Sequence, residues 1–167
     1  MTTKKWALSF LLLTSTMLAA CGFHLRGSGF DLHQTKVWLL TQTPNEDFER
    51  ALTQRLETQG GQWVKDAAAA DLQLAVVGYQ VDERVVARDS QGRASEVELI
   101  FTLDYRLAAK NQNYESDLAP LQSLSSRREY AFNRNLETGQ EVEKRRLILD
   151  MQQQVISRLL LQIAKTQ

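Results

Sequence analysis

The chain has 167 residues, 20 basic and 20 acidic side chains and a formal net charge of zero. That length supports one domain with a real core, and the balanced charge excludes the basic excess expected of a nucleic-acid-binding protein. Its one cysteine, Cys21, excludes a disulfide within a single chain.

Residues 1–20 read as an address. Lys4 and Lys5 precede the apolar run Trp6–Leu13, which Thr14, Ser15 and Thr16 then interrupt. The run is shorter than the ~20 residues that span a bilayer, so it reads as a signal segment and not a permanent anchor. Leu18-Ala19-Ala20-Cys21 has the form of a bacterial lipobox: an apolar residue, two small residues, then cysteine. Small side chains suit signal peptidase, the thiol can carry diacylglycerol, and the freed α-amino group can take a further acyl chain. A buried or free cysteine that happens to follow an apolar run is the plainer alternative. The order of charged, apolar and small regions favours lipidation. Removing the signal leaves 147 residues with 18 basic and 20 acidic side chains.

Residues 21–34, rich in glycine and polar side chains, read as a lipidated tether, and residues 35–167 as the folded domain. Lys36–Leu40 predicts a first strand. Thr43 as N-cap, Pro44 at the first helical position and Glu46 as the closing carboxylate predict a helix over Asn45–Gln59. Its apolar face is Phe48, Ala51, Leu52 and Leu56, and Gly60-Gly61 ends it. Gln62–Val64 is at most a short strand, and Asp66–Ala70 a loop or a single helical turn.

Leu72, Leu74 and Val76 alternate, and Tyr79 and Val81 resume in the opposite phase, so a β-bulge is expected beside Gly78 in a strand running to Arg88. Asp89–Gly92 is a turn. Val97, Leu99, Phe101, Leu103, Tyr105 and Leu107 then alternate with polar neighbours, the clearest strand of the chain. Asn111–Pro120 is a polar connection, and Ser125–Asn133 a polar edge strand. A second capping box at Thr138–Glu141 opens a helix over Gln140–Ala164, with Ile148, Met151, Val155, Leu159 and Ile163 as its stripe. The expected fold is an α/β (α+β) two-layer sandwich. It has a four-stranded mixed sheet with two helices on one face, in the order β-α-β-β-β-α.

Little here could catalyse. His24 and His33 both lie in the tether, so no metal site or histidine base is expected, and no cofactor. No nucleophile elbow or phosphate loop occurs. Glu96 and Glu98 share a strand face with basic neighbours, which is ordinarily a solvated surface and not a glycosidase pair.

The basic residues are more informative. Arg84, Arg88 and Arg93 run along the second long strand and past its turn; Arg127, Arg128 and Arg134 lie on the last strand and its exit. Lys144, Arg145 and Arg146 follow on the last helix. Antiparallel topology returns that exit to the turn, so Arg88, Arg93 and Arg134, and with them Lys144, can meet at one pole, suited to phosphate or carboxylate. Isolated solubilising arginines are the alternative.

Cys21-Gly22-Phe23-His24-Leu25-Arg26 resembles the mature start of the LptE family of lipopolysaccharide-assembly lipoproteins, which opens with Cys-Gly, an aromatic residue and His-Leu-Arg. The expected element order resembles that family too. The resemblance implies a lipid-anchored outer-membrane protein, and Gly22 after the cysteine fits that destination. It also implies a one-to-one complex in which the protein plugs and helps assemble the large LptD β-barrel and contacts lipopolysaccharide in transit. A domain with a radius of gyration of ~15 Å is compatible with the lumen of a very large barrel. Arg88 matches the family's pre-turn basic position; near the last helix, where the family has lysine, this chain has Gln140. Two rival readings are an independent periplasm-facing lipoprotein binding a small anion and an auxiliary subunit of a lipid transporter. A hydrolase using Glu96, Glu98 or Asp104 is the third.

Overall fold

Alternation along one strand sets the layers. The computed structural model describes residues 32, 34–42, 44–110, 119–132 and 137–166. The signal segment, Cys21, Thr43, Arg134 and the connection at 111–118 lie outside the described residues. Strand β4 (Ala94–Ala109) buries Leu99, Phe101, Leu103 and Tyr105 on one face. Against them pack α1 (Glu46–Thr58), through Phe48, Leu52 and Leu56, and α2 (Glu137–Lys165), through Met151, Val155, Ile156, Leu159, Leu160 and Ile163. All these helix residues are fully buried, so both helices cover one face of one sheet. No helix among the described residues is long and apolar enough to cross a membrane.

The sheet has five strands, not the four expected. β1 (Lys36–Thr41) leads through α1 to β2 (Gln62–Val64), which pairs parallel with β1 at the sheet's outer edge. β3 (Leu72–Arg88) then returns on the other side of β1, also parallel to it. β4 and β5 (Gln122–Ala131) complete an antiparallel meander, giving the spatial order β2-β1-β3-β4-β5. The chain order is therefore β-α-β-β-β-β-α. Gln62–Val64 stands as the short strand that the sequence allowed, but three residues are too few to display a period of two, and the four-strand expectation left it out. A 3-10 turn at Ala67–Ala69, capped by Asp66, links it to β3.

The bulge stands beside Gly78, where the β3–β4 register shifts between Val76 and Gly78. The extra residue lets Tyr79 rejoin the buried face, and its ring meets Phe48 at 4.8 Å. Helix α1 is capped by Asn45, not Thr43: the Asn45 side chain accepts from the Phe48 amide at 3.1 Å. Glu49 returns the bond to the Asn45 amide at 3.2 Å. The capping logic is as expected, two residues later. Helix α2 is already under way at Glu137, so Thr138 lies inside it and does not cap it.

At the other end of α1, Gly60 (φ 85°) donates to the Glu57 carbonyl and Gly61 to the Leu56 carbonyl, both at 3.0 Å. This is the paired closure of a Schellman motif, with the left-handed residue a glycine. Leu32, near the end of the stretch read as a tether, is fully buried and donates to the Gln59 carbonyl at 2.9 Å.

Candidate functional site

The β3–β4 hairpin carries the basic residues that the sequence singles out. Its tip is built by Asp89. One carboxylate oxygen accepts from the amides of Gln91 and Arg93, each at 2.9 Å, and the other from Arg93 Nε at 2.8 Å. Gly92 takes the left-handed conformation that closes the turn (φ 77°). Arg88 Nη1 donates to the Gly92 carbonyl at 2.9 Å, which occupies one of five guanidinium donors. Both arginines thus frame the turn while remaining exposed, Arg88 with spare donors.

The backbone N–H of Arg93, then its side chain, holds the Asp89 carboxyl below its ordinary value of 3.8. The carboxylate is the form that the turn prefers. Its contribution is therefore complete above the unfolded-chain value and lost as pH falls through the folded one. In an NMR titration Asp89 should show a midpoint below those of exposed carboxylates, and Arg93→Ala should restore only part of the difference, because the amide donor remains. A midpoint at the ordinary value in the parent protein would contradict this turn geometry.

The exit of β5 returns to this pole as expected: the Phe132 amide donates to Ser95 at 2.9 Å. Arg134 follows it, outside the described residues. Lys144 does not join Arg88. Its ammonium pairs with Glu83 at 2.6 Å, and Glu83 lies five residues before Arg88 on β3, ~16 Å along an extended strand. Hydrogen bonding to Glu83 raises the Lys144 pKa above its ordinary value.

Around that pair lies an open cavity of about 260 Å³ lined by Glu83, Tyr130, Phe132, Gln140, Glu141 and Lys144. Two carboxylates against one ammonium give this cavity a formal charge of −1, and Gln140 adds an amide where a lysine would have brought the charge to zero. Burial, then Glu83, raises the Tyr130 phenol. No periodic pattern could have revealed this cavity, because it forms where β3, the end of β5 and the first turns of α2 meet.

Two further basic residues singled out in the sequence, Arg84 and Arg128, are structural. Arg84 pairs with Glu98, whose carboxylate is buried on the helix-free face. Glu98 is therefore a neutralised partner, not half of a carboxylate pair with Glu96. Arg128 grips Asp150 through Nε at 3.0 Å and Nη2 at 2.7 Å, tying β5 to α2. Among the described residues, no group of three or more His, Cys, Asp or Glu side chains could hold a metal ion.

Comparison with known proteins fixes the lineage. The profile of the LptE lipopolysaccharide-assembly family matches residues 36–163, from the first residue of β1 to the last turn of α2. The chain belongs to the LptE family. Three solved structures share the LptE fold. Rare lipoprotein B from Shewanella oneidensis is 19% identical, with a TM-score of 0.69 over 79% of this chain and 96% of that one. A lipoprotein B from Nitrosomonas europaea is 24% identical, also with a TM-score of 0.69, over 86% and 90%. A minor lipoprotein from Acinetobacter baumannii is 22% identical, with a TM-score of 0.54 over 79% and 89%. No curated protein sequence matches the chain. As a member of the LptE family, the protein falls among lipopolysaccharide-assembly lipoproteins.

Proposed function

We propose that this protein is an outer-membrane lipoprotein, anchored through Cys21, that plugs and helps assemble the LptD β-barrel in a one-to-one complex and receives lipopolysaccharide on its way to the outer leaflet. The family match across residues 36–163 carries this reading. The mechanism is binding and steric gating, with no covalent step. The five-stranded sheet and its two helices form the rigid body of the plug. The hairpin tip presents Arg88 and Arg93 to phosphate, with Arg134 following the adjacent exit of β5. Lys144 contributes least, because Glu83 already neutralises it and the cavity beside it is net acidic. Anion contact is therefore concentrated at the turn.

Two substitutions test the two ends of this reading. Arg88→Asp should weaken binding of purified lipopolysaccharide about tenfold to a hundredfold, the worth of one charge-assisted hydrogen bond, with an unchanged circular dichroism spectrum. Unchanged binding would return Arg88 to an ordinary surface role. Cys21→Ser should abolish acylation and leave uncleaved precursor, read as intact mass. A variant that is processed and retained in the outer membrane like the parent would refute the lipid anchor.

A further inference from the structure

The far half of β3 has an open edge. β1 accompanies β3 only from Leu72 to Val76, and the last bond there is from the Gln42 amide to the Val76 carbonyl at 3.1 Å. Beyond that point, among the described residues, β3 pairs with β4 alone. The regular stretch runs from Gly78 to Val85, between two shifts in the β3–β4 register. It extends ~26 Å. In an antiparallel ladder, alternate residues turn their N–H and C=O groups away from the strand they pair with. That side offers a row of donors and acceptors to an added strand.

Charged side chains ordinarily block such an edge. Here they are held by groups of this chain. Glu83 pairs with Lys144 of α2 at 2.6 Å, and Arg84 with Glu98 of the neighbouring strand. Asp82 accepts from Gln80 Nε2 at 2.8 Å and has no ion pair among the described residues. No proline or lysine lies between Gly78 and Val85. Val81 and Val85 stand opposite the buried Phe101 and Val97 of β4, yet are themselves 45% and 44% exposed. The core face stops half-covered at this edge.

The segments of this chain outside the described residues are badly placed to cover it. Residues 111–118 join β4 to β5 beside Ala109, which pairs with Leu72 at the opposite end of β3. Residues 133–136 start beyond β4, two strand spacings or ~10 Å away, and must return to Glu137. Residues 21–31 enter at Leu32, which bonds Gln59 and Thr35 before the start of β1. Fully extended they reach at most ~40 Å. That is less than β1, at ~20 Å, and the open edge laid end to end.

We propose that the edge of β3 from Gly78 to Val85 takes an extended segment of the barrel chain as an added strand, in the row that β1 begins. This rests on the plug reading and supplies the way in which plug and barrel are joined. The wall strands of a closed barrel already pair with one another, so the segment is a loop that turns into the lumen. Its chemistry follows from the edge: β-branched or aromatic side chains beside Val81 and Val85, and lysine or arginine beside Asp82. Main-chain pairing supplies affinity, and the alternate side chains supply specificity.

The test compares hydrogen–deuterium exchange of the full-length lipoprotein alone with that of its detergent-purified one-to-one complex. Amides of Gly78–Val85 should exchange about tenfold more slowly in the complex, together with those of one barrel loop that carries a lysine or arginine. Leu72–Val76, already paired on both sides, should not change. Val81→Lys with Val85→Lys, at sites exposed in the lipoprotein, should leave its melting temperature unchanged and lower barrel recovery about tenfold. Unaltered exchange at Gly78–Val85 within a one-to-one complex, or full barrel recovery by the double variant, would overturn the added strand and leave the plug standing. Slowing in the lipoprotein alone as its concentration rises would assign the edge to a second copy and overturn the proposal as well. Failure to recover any barrel would overturn both readings.

Discussion

Phe48→Ala is expected to lower the unfolding free energy by about 3–5 kcal/mol, the usual result of emptying a buried phenylalanine site. Phe48 is fully buried, and its ring lies 4.8 Å from Tyr79 and 6.1 Å from Phe101. It is the one side chain of the first turn of α1 that reaches both long strands, at the level where the bulge returns β3 to the core. The neighbours cannot collapse into the space, because Phe101 belongs to the central strand and Tyr79 is fixed by the bulge. The Tyr79 hydroxyl, buried without a hydrogen-bond partner among the described residues, has its pKa raised mainly by desolvation and then by Glu49. Urea unfolding should show a lower midpoint at an unchanged slope. Phe48→Leu, which keeps most of the volume, should lose less than half as much. Equal losses for the two variants would mean that ring packing is not what the site supplies.

Gly61→Ala is expected to cost about 1–3 kcal/mol through overpacking. A Cβ at this position would lie 2.7 Å from Leu56 Cγ, 2.8 Å from Leu56 Cδ2 and 3.2 Å from Leu32 Cδ1. Both leucines are fully buried, so neither can swing into solvent to make room. Gly61 also donates to the Leu56 carbonyl, which fixes its backbone against the same side chain it would strike. The effect therefore arises from close approach and not from a left-handed backbone, unlike Gly60. A melting temperature unchanged by Gly61→Ala, measured beside Gly78→Ala as a control with open space around its Cβ, would contradict this packing.

The parts of the fold legible in the sequence were those with a long period. Six alternating positions in β4 and the apolar stripe of α2 define the core without ambiguity, and the phase slip at Gly78 located the bulge. Short features were left open for a common reason. β2 has three residues and no room for a pattern. The cap of α1 could be Thr43 or Asn45 by residue type, and only the bonds of Asn45 with Phe48 and Glu49 decide between them. The four-strand expectation failed on β2 alone, since every other strand stands near its expected position.

The site was legible as topology and not as chemistry. Antiparallel order returns the end of β5 to the Asp89–Gly92 turn, which the alternation of two long strands already implied. Which partner each cation takes depends on contacts between elements. Arg93 takes Asp89, Arg88 takes the Gly92 carbonyl, and Lys144 takes Glu83, half a strand from the turn. No single-strand pattern encodes that last pairing, and the acidic cavity around Gln140 follows from it.

The central claim, a plug in a barrel, is tested most directly by mild-detergent purification of the tagged full-length protein from outer membranes, with native mass measurement of what accompanies it. One large β-barrel at one-to-one stoichiometry is the expected result. Recovery of the lipoprotein without any barrel, after cross-linking in intact cells as well, would contradict it.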